Sequence, residues 1–231
     1  MSLRTTIKNI SLTVPRFLGQ STASFLIKTG YLIRGSKMYK SPEGKKMEGG
    51  YYNRYKLYDY IAAQENLQHA DILFLEFGVF QGDSILHWLK LNHNPQSAFW
   101  GFDTFVGLPE DWGNDKKGCY TNHGELPYTE DKRCGFKKGL FSETLPYFDI
   151  KPYVGKRKII HLDADLYSST LFVLSELRYE IKKGDLIILD DYFSPAKMDH
   201  EYKALEDFVK AYPTKFETIA KTNSQIVLKV L

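Results

Sequence analysis

The sequence predicts an α/β fold: a parallel β-sheet covered by helices on both faces, with an antiparallel hairpin at one edge. Three observations predict it. Two apolar runs, in KIIHLDADLYSST (158–170) and GDLIILDDYF (184–193), have the density of strands buried on both faces, and both end in acids. Segments between such runs space their apolar residues three or four apart, as helices do. At the C-terminus, KFETIAKTNSQIVLKVL alternates around Thr222, Asn223 and Ser224 like a closing hairpin.

In chain order, SPEGKKMEGGYYNRY (Ser41 to Tyr55) is rich in glycine, proline and charge, and reads as a linker. It divides a basic N-terminal arm, residues 1–50, from a main domain, residues 51–231. Leu57, Tyr60 and Ile61 give helical spacing up to about Leu67, and DILFLEFGVFQGDSILHWLKL then runs from a strand through a glycine turn into an amphipathic helix. SAFWGFDTF supplies a second strand ending at Asp103. From Val106 to Gly135 periodicity is lost, which predicts a long surface insertion of the kind used as a lid; its Trp112, Tyr120 and Tyr128 could close over a ligand or pack against the domain.

CGFKKGLF is the third strand and KIIHLDAD the fourth. Ser168 or Ser169 is expected to cap the next helix, whose Val173, Leu174, Leu177 and Ile181 form one face and which Gly184 stops. DLIILDDY is the fifth strand, and HEYKALEDFVKAY is a helix before the hairpin.

The 231-residue chain is long enough for one well-buried domain. Its apolar runs are far shorter than a membrane span, and its first thirty residues lack a secretory h-region, so a cytoplasmic protein without a membrane span is expected. Cys119 and Cys134 match no zinc or redox signature and are expected to be reduced and non-catalytic. The net charge of +3 is local in origin, because residues 1–58 carry eleven Lys or Arg against two acids. Such an arm is read as an oligomerisation or lid segment rather than a nucleic-acid contact, and a homo-oligomer is expected.

In an open sheet ligands bind beyond the C-terminal strand ends, where the unusual residues fall. EFGVFQGDS (Glu76 to Ser84) places Gly78 and Gly82 where backbone can approach a ligand, facing a helix N-terminus. It lacks the third glycine of a dinucleotide fingerprint, which disfavours a nicotinamide-dependent dehydrogenase. A tight turn without a ligand stays open for this stretch alone. Asp103, some twenty residues on, has the reach to hold both hydroxyls of a ribose or to serve as a cap, and with the turn it suggests an adenosine-containing ligand. Asp163 and the Asp190/Asp191 pair end strands expected to be neighbours. Strand spacing would gather three carboxylates, which a hard cation such as Mg²⁺ would hold together; capping aspartates that never meet are the alternative. His161 is expected to be a buried, hydrogen-bonded histidine.

With NRYKLYDYI, FLEFGVFQGDS, WGFDTFVGLPEDW, KKGLFSETLP, HLDADLYSST and GDLIILDDYF in this order, the chain from about Tyr51 onward resembles the macrocin O-methyltransferase (TylF-type) family. The resemblance implies a class I methyltransferase fold, a seven-stranded sheet with an antiparallel last strand, with S-adenosylmethionine as methyl donor and Mg²⁺ as metal. It implies that Glu76, Gly78, Gly82 and Ser84 lie along the methionine end of the donor, Asp103, Thr104 and Phe105 at its ribose, and Leu140, Phe141 and Ser142 beside its adenine. Asp163, Asp190 and Asp191 fall on the metal-ligand positions. The lysine base of the catechol-type relatives is replaced here by Leu166, so Asp163 is expected to act as both ligand and base, with Asp165 and Tyr167 as candidate substrate contacts. The implied acceptor is a small-molecule hydroxyl, on a sugar or a glycosylated compound. A non-catalytic nucleotide-binding or assembly protein is the alternative, and the three acids argue against it.

Overall fold

The computed structural model describes residues 20–47, 54–194, 197 and 199–231. Eight strands form one sheet: β1 Lys45–Lys46, β2 Ile72–Phe77, β3 Ala98–Asp103, β4 Cys134–Lys138, β5 Arg157–Leu162, β6 Leu186–Leu189, β7 Phe216–Lys221 and β8 Ile226–Val230. The α-helices among the described residues are α1 Gln20–Lys40, α2 Arg54–Gln64, α3 Asp83–Leu91, α4 Phe141–Thr144, α5 Tyr167–Glu176 and α6 Glu201–Ala211. The strand order is β1-β7-β8-β6-β5-β2-β3-β4. Only β8 runs against its neighbours, and every other pairing is parallel.

This is the expected α/β fold with one addition. The sheet has eight strands rather than seven because Lys45 and Lys46 pair with Ala220 and Lys221 of β7. The sheet therefore reaches back across the expected boundary at residue 50. Lys221 makes the junction specific: its side chain is buried, and its ammonium donates to the carbonyls of Met38 and Ser41 at 3.1 and 2.8 Å. These carbonyls lie at the C-terminal end of α1, where a cation is favoured. Helix α1 also meets α6 through Tyr31 and Tyr202, with ring centroids 5.9 Å apart, and through the Arg34–Glu206 ion pair at 3.2 Å. The segments 1–19 and 48–53 of the expected arm and linker lie outside the described residues.

The central strands are buried on both faces because helices cover both. Leu73, Leu75 and Phe77 of β2 point into a core with Val173 and Leu174 of α5 and Leu205 and Phe208 of α6. Ile72 and Phe74 point the other way, onto Leu57 and Ile61 of α2 and Ile85 and Trp88 of α3. The period of two along β2 thus feeds two cores at once.

Two local expectations are corrected. Helix α5 is capped by Leu166 in an extended conformation, not by Ser168 or Ser169, which fall inside its first turn. It ends at Glu176, short of Ile181, and Gly184 (φ 92°) turns the chain into β6 instead of stopping a helix. No helix among the described residues is long and apolar enough to cross a membrane.

Candidate active site

Register decides which residues meet. Phe77 pairs with Phe102 on one side and Leu162 on the other, and Leu162 pairs with Leu189. The residues that follow, Gly78, Asp163 and Asp190, consequently emerge side by side at the C-terminal edge next to Asp103. A cavity of about 470 Å³ opens there, lined by Gly78, Asp103, Thr104, Leu140, Phe141 and Asp163 among others. A second, of about 210 Å³, shares Gly78, Phe80 and Asp163 with it and adds Arg54, Glu76 and Ser84. The larger volume lies within the usual range for a small-molecule site.

The expected donor residues divide into those that line these cavities and those that shape them. Gly82, Phe105 and Ser142 line neither. Gly82 (φ 87°) opens α3 against Pro127, Phe105 is fully buried, and Ser142 is exposed on α4. Asp103 fixes the turn around it, since Oδ2 accepts the N–H groups of Val79 and Phe80 at 2.7 and 2.8 Å and Oδ1 accepts that of Phe105 at 2.7 Å. Glu76 is buried. Its Oε1 meets His161 Nδ1 at 2.8 Å, whereas Oε2 is buried without a hydrogen-bond partner in a residue that lines the smaller cavity. A buried carboxylate oxygen in that position asks for a donor from a ligand.

The acids form two groups. Ligand atoms of Asp163, Asp165 and Asp191 lie within 4.8 Å of one another, and so do those of His161, Asp163 and Asp190. Asp163, Asp165 and Asp191 are the trio that lines the larger cavity, and Asp190 stands with Asp163 and His161 in the other group. It is buried, its Oδ2 accepts from Arg54 Nη2 at 3.1 Å, and its Oδ1 accepts from Gln225 Nε2. Asp165 stands beside Asp163 and Asp191, at φ 60° in the loop between β5 and α5. Arg54 bridges the two groups, because its Nη1 also donates to Asp163 Oδ2 at 3.0 Å.

Charge follows this division. Burial and the neighbouring Asp190 push Asp163 up to about 8 against the pull of Arg54 and His161. Burial, Asp163 and Asp191 push Asp165 up to about 9. Burial and Asp190 also raise Asp191. Asp190 moves the other way: burial would raise it, but hydrogen bonding to His161, the Arg54 charge and Gln225 outweigh that and hold it low. His161 is fully buried as expected, and although burial opposes its charge, Asp190 and Glu76 bring it up to about 9. Crowded carboxyls with raised pKa values, all offering oxygen, suit a hard cation.

The long loop closes one side. Trp112 lines the larger cavity and is buried with Leu108 and Leu166, and Lys197 Nζ sits 2.8 Å from its ring centroid while pairing with Asp115 at 2.7 Å. Ser168 Oγ donates to Glu110 at 2.8 Å and ties the loop to α5. Tyr120 (φ 60°) and Phe80 (φ 53°) line the larger cavity with their rings 6.5 Å apart. Tyr128 is exposed and lines neither cavity.

Sequence reasoning missed Arg54, Asp165 as a member of the trio, and Glu201. Glu201 is buried at the start of α6 and accepts the N–H of Asp191 at 2.9 Å, and burial together with Asp191 raises it well above the usual carboxylate range. The DxD spacing in HLDADLY was the one signal that could have promoted Asp165. Bulky residues at positive φ around a cavity are a mark of functional strain that no residue pattern announces.

Strand order, the glycine turn and Asp103 define a class I methyltransferase fold. The family model described as macrocin O-methyltransferase (TylF) matches residues 53–217, and the chain belongs to that family. It is similar to the Streptomyces olivaceus 8-demethyl-8-(2,3-dimethoxy-alpha-L-rhamnosyl)-tetracenomycin-C 4′-O-methyltransferase, with 29% identity over 153 residues, 56% of this chain and 57% of the relative. It is 26% identical over 166 residues to the Streptomyces niveus demethyldecarbamoylnovobiocin O-methyltransferase, 62% of this chain and 58% of the relative. The chain thus spans less than two thirds of the length of these relatives. Among solved structures, the calicheamicin methyltransferase CalS11 aligns with a TM-score of 0.60 at 18% identity, over 87% of this chain and 91% of that one. The O-methyltransferase NovP aligns with a TM-score of 0.55 at 19% identity, over 77% and 78%. At these identities the likeness is one of fold.

Proposed function

We infer that the protein is an S-adenosylmethionine-dependent O-methyltransferase whose acceptor is a hydroxyl on a sugar or a glycosylated small molecule. One observation carries the reading: a single cavity is lined both by Gly78, Asp103, Thr104, Leu140 and Phe141 and by Asp163, Asp165 and Asp191. Donor-type and acid groups share one space. The names of the two Streptomyces relatives, a rhamnosyl-tetracenomycin and a novobiocin O-methyltransferase, support the acceptor class.

When bound, S-adenosylmethionine would supply a methyl group already activated on a sulfonium, and a divalent cation, which Asp163, Asp190 and Asp191 would hold with Asp165 beside them, would supply a Lewis acid that lowers a hydroxyl's pKa. The protein's own work is alignment and proton transfer. Glu76 Oε2 is placed to receive the donor's ammonium, and the bare Cα of Gly78 leaves room for the donor to lie against the strand end. Leu140 and Phe141 offer apolar surface to an adenine. Phe80 and Tyr120 line the cavity and offer aromatic faces against which a sugar ring would be oriented. Such orientation supplies several kcal/mol.

Asp163 Oδ1, the oxygen that Arg54 does not hold, takes the hydroxyl proton. A carboxylate positioned in this way contributes about 10²- to 10⁴-fold as a base. The test is incubation with methyl-labelled S-adenosylmethionine, Mg²⁺ and a panel of sugars, nucleotide sugars, glycosylated polyketides and polyphenols. Label recovered on an acceptor oxygen is expected. A protein that binds the donor with micromolar affinity yet transfers no label to any acceptor would instead favour the non-catalytic reading.

A further inference from the structure

His161 is completely buried in the middle of the sheet, and the methyl transfer itself gives it no task. Register sets it beside Glu76 of β2. Its ring packs against Tyr58 of α2 and Phe74 of β2, with centroids 5.6 and 6.3 Å away. A ring confined in a close-packed interior keeps each nitrogen with its own neighbours.

Those neighbours differ. Nδ1 meets Glu76 Oε1 at 2.8 Å, and the other oxygen of that carboxyl, Oε2, is buried without a hydrogen-bond partner among the described residues, in a side chain that lines the smaller cavity. Nε2 meets the Tyr58 hydroxyl at 3.2 Å and stands 3.7 Å from Asp190 Oδ1. Gln225 Nε2 completes this side, donating to the Tyr58 oxygen at 3.4 Å and to Asp190 Oδ1. One imidazole thus touches, through separate nitrogens, the acid placed toward the donor and an acid of the cation site. A hydrogen bond that fixes one oxygen of a carboxylate decides where the other points, and partners of this kind tune metal affinity by about 10- to 100-fold.

We propose that His161 is a positioning residue for both ligands of the active site, with one nitrogen for each. Nδ1 holds Glu76 so that Oε2 faces the donor's ammonium, and Nε2, with Tyr58 and Gln225, holds Asp190 so that it joins Asp163 and Asp191 around a divalent cation. The donor half rests on the methyltransferase reading. The cation half concerns metal binding to the free protein, and both halves are read without turnover.

Amide side chains separate the two nitrogens. An asparagine amide reaches about as far as Nδ1 and a glutamine amide about as far as Nε2, so His161→Asn can keep the bond to Glu76 and His161→Gln the contact with Tyr58. Both remove the ring and any charge on it alike, so the difference between them reports the separate roles. The experiment measures S-adenosylmethionine affinity by calorimetry and Mn²⁺ affinity by electron paramagnetic resonance in the parent, His161→Asn, His161→Gln and Tyr58→Phe. His161→Asn is expected to bind the donor about tenfold more tightly than His161→Gln does. His161→Gln is expected to bind Mn²⁺ about tenfold more tightly than His161→Asn does. Tyr58→Phe, which loses only a hydroxyl, is expected to weaken Mn²⁺ binding about tenfold and to leave donor affinity within about twofold. A merely structural histidine would lower both affinities in parallel in the two amide variants, and that result overturns the proposal while leaving the methyltransferase reading standing. If either amide variant proves unfolded, Tyr58→Phe decides: loss of both affinities alike, or of neither, overturns the proposal. A parent that binds no S-adenosylmethionine overturns it together with the methyltransferase reading, and a parent that binds no Mn²⁺ overturns it together with the cation site.

Discussion

Gly78 lies directly against the main chain of Asp163: the Asp163 N–H donates to the carbonyl of Phe77 at 2.9 Å, and a Cβ at position 78 would overlap the Asp163 carbonyl oxygen. The same residue holds φ at 90°, a conformation that L side chains rarely adopt. Donor turn and acid-bearing strand end are therefore locked together at one point. Gly78→Ala is expected to lose about 3 kcal/mol or more of stability, from overlap with an immovable backbone plus φ strain. Chemical denaturation checks this, and a variant of parental stability would show that the β2 and β5 ends are not held in contact.

Asp103 is expected to matter twice. Its carboxylate receives three backbone N–H groups in addition to facing the cavity, so Asp103→Ala removes the turn's anchor as well as an acceptor for ribose hydroxyls. Loss of charged hydrogen bonds of this kind costs about 1.5–3 kcal/mol. Calorimetry should show S-adenosylmethionine binding at least tenfold weaker, together with a lower melting temperature. Undiminished donor affinity in the folded variant would remove Asp103 from the donor site.

Mg²⁺ is expected to raise the melting temperature of the parent, because it binds the folded protein and relieves repulsion among the acids. Asp163→Asn, Asp190→Asn and Asp191→Asn should each abolish most of that rise, and Asp163→Asn should be the most damaging to turnover. Asp190→Asn should differ in one respect. It also breaks a buried ion pair with Arg54, costing about 3–5 kcal/mol in the absence of metal. Scanning calorimetry with and without Mg²⁺ separates the two effects. Full turnover in excess chelator would refute the metal site altogether.

Cys134 is expected to be chemically silent. Burial, with Glu76 and Asp131 nearby, pushes its thiol up to about 12, and no disulfide forms with Cys119. Only the thiolate reacts, and at pH 8 such a thiol is ~0.01% ionised. Iodoacetamide at pH 8 should leave Cys134 unmodified by mass spectrometry, with its rate rising about tenfold per pH unit up to the pKa. Rapid labelling of Cys134 in the native protein at pH 8 would contradict the raised thiol pKa.

Much of the architecture was legible in the residues themselves, because it depends on patterns that water imposes locally. A short apolar run such as Leu186 to Leu189, opened by Gly184 and ended by acids, reads as a strand covered on both faces, and the alternation either side of Asn223 reads as a hairpin. Acids ending such runs had to emerge at the strand ends, so Asp103, Asp163 and Asp191 were identifiable before any coordinates. What the chain alone did not reveal depends on register and on partners distant in sequence. Arg54 lies 109 residues from Asp163 and 136 from Asp190, and nothing local marks it as the charge that joins them. Asp190 and Asp191 are adjacent in sequence, but successive side chains leaving a strand end diverge, and only the tertiary structure decides that Asp190 turns inward to Arg54 and Gln225 while Asp191 turns to the cavity. The eighth strand was invisible for the same reason. Two lysines carry no strand pattern, and they join the sheet only because β7 offers an open edge and Lys221 holds the end of α1 beside it.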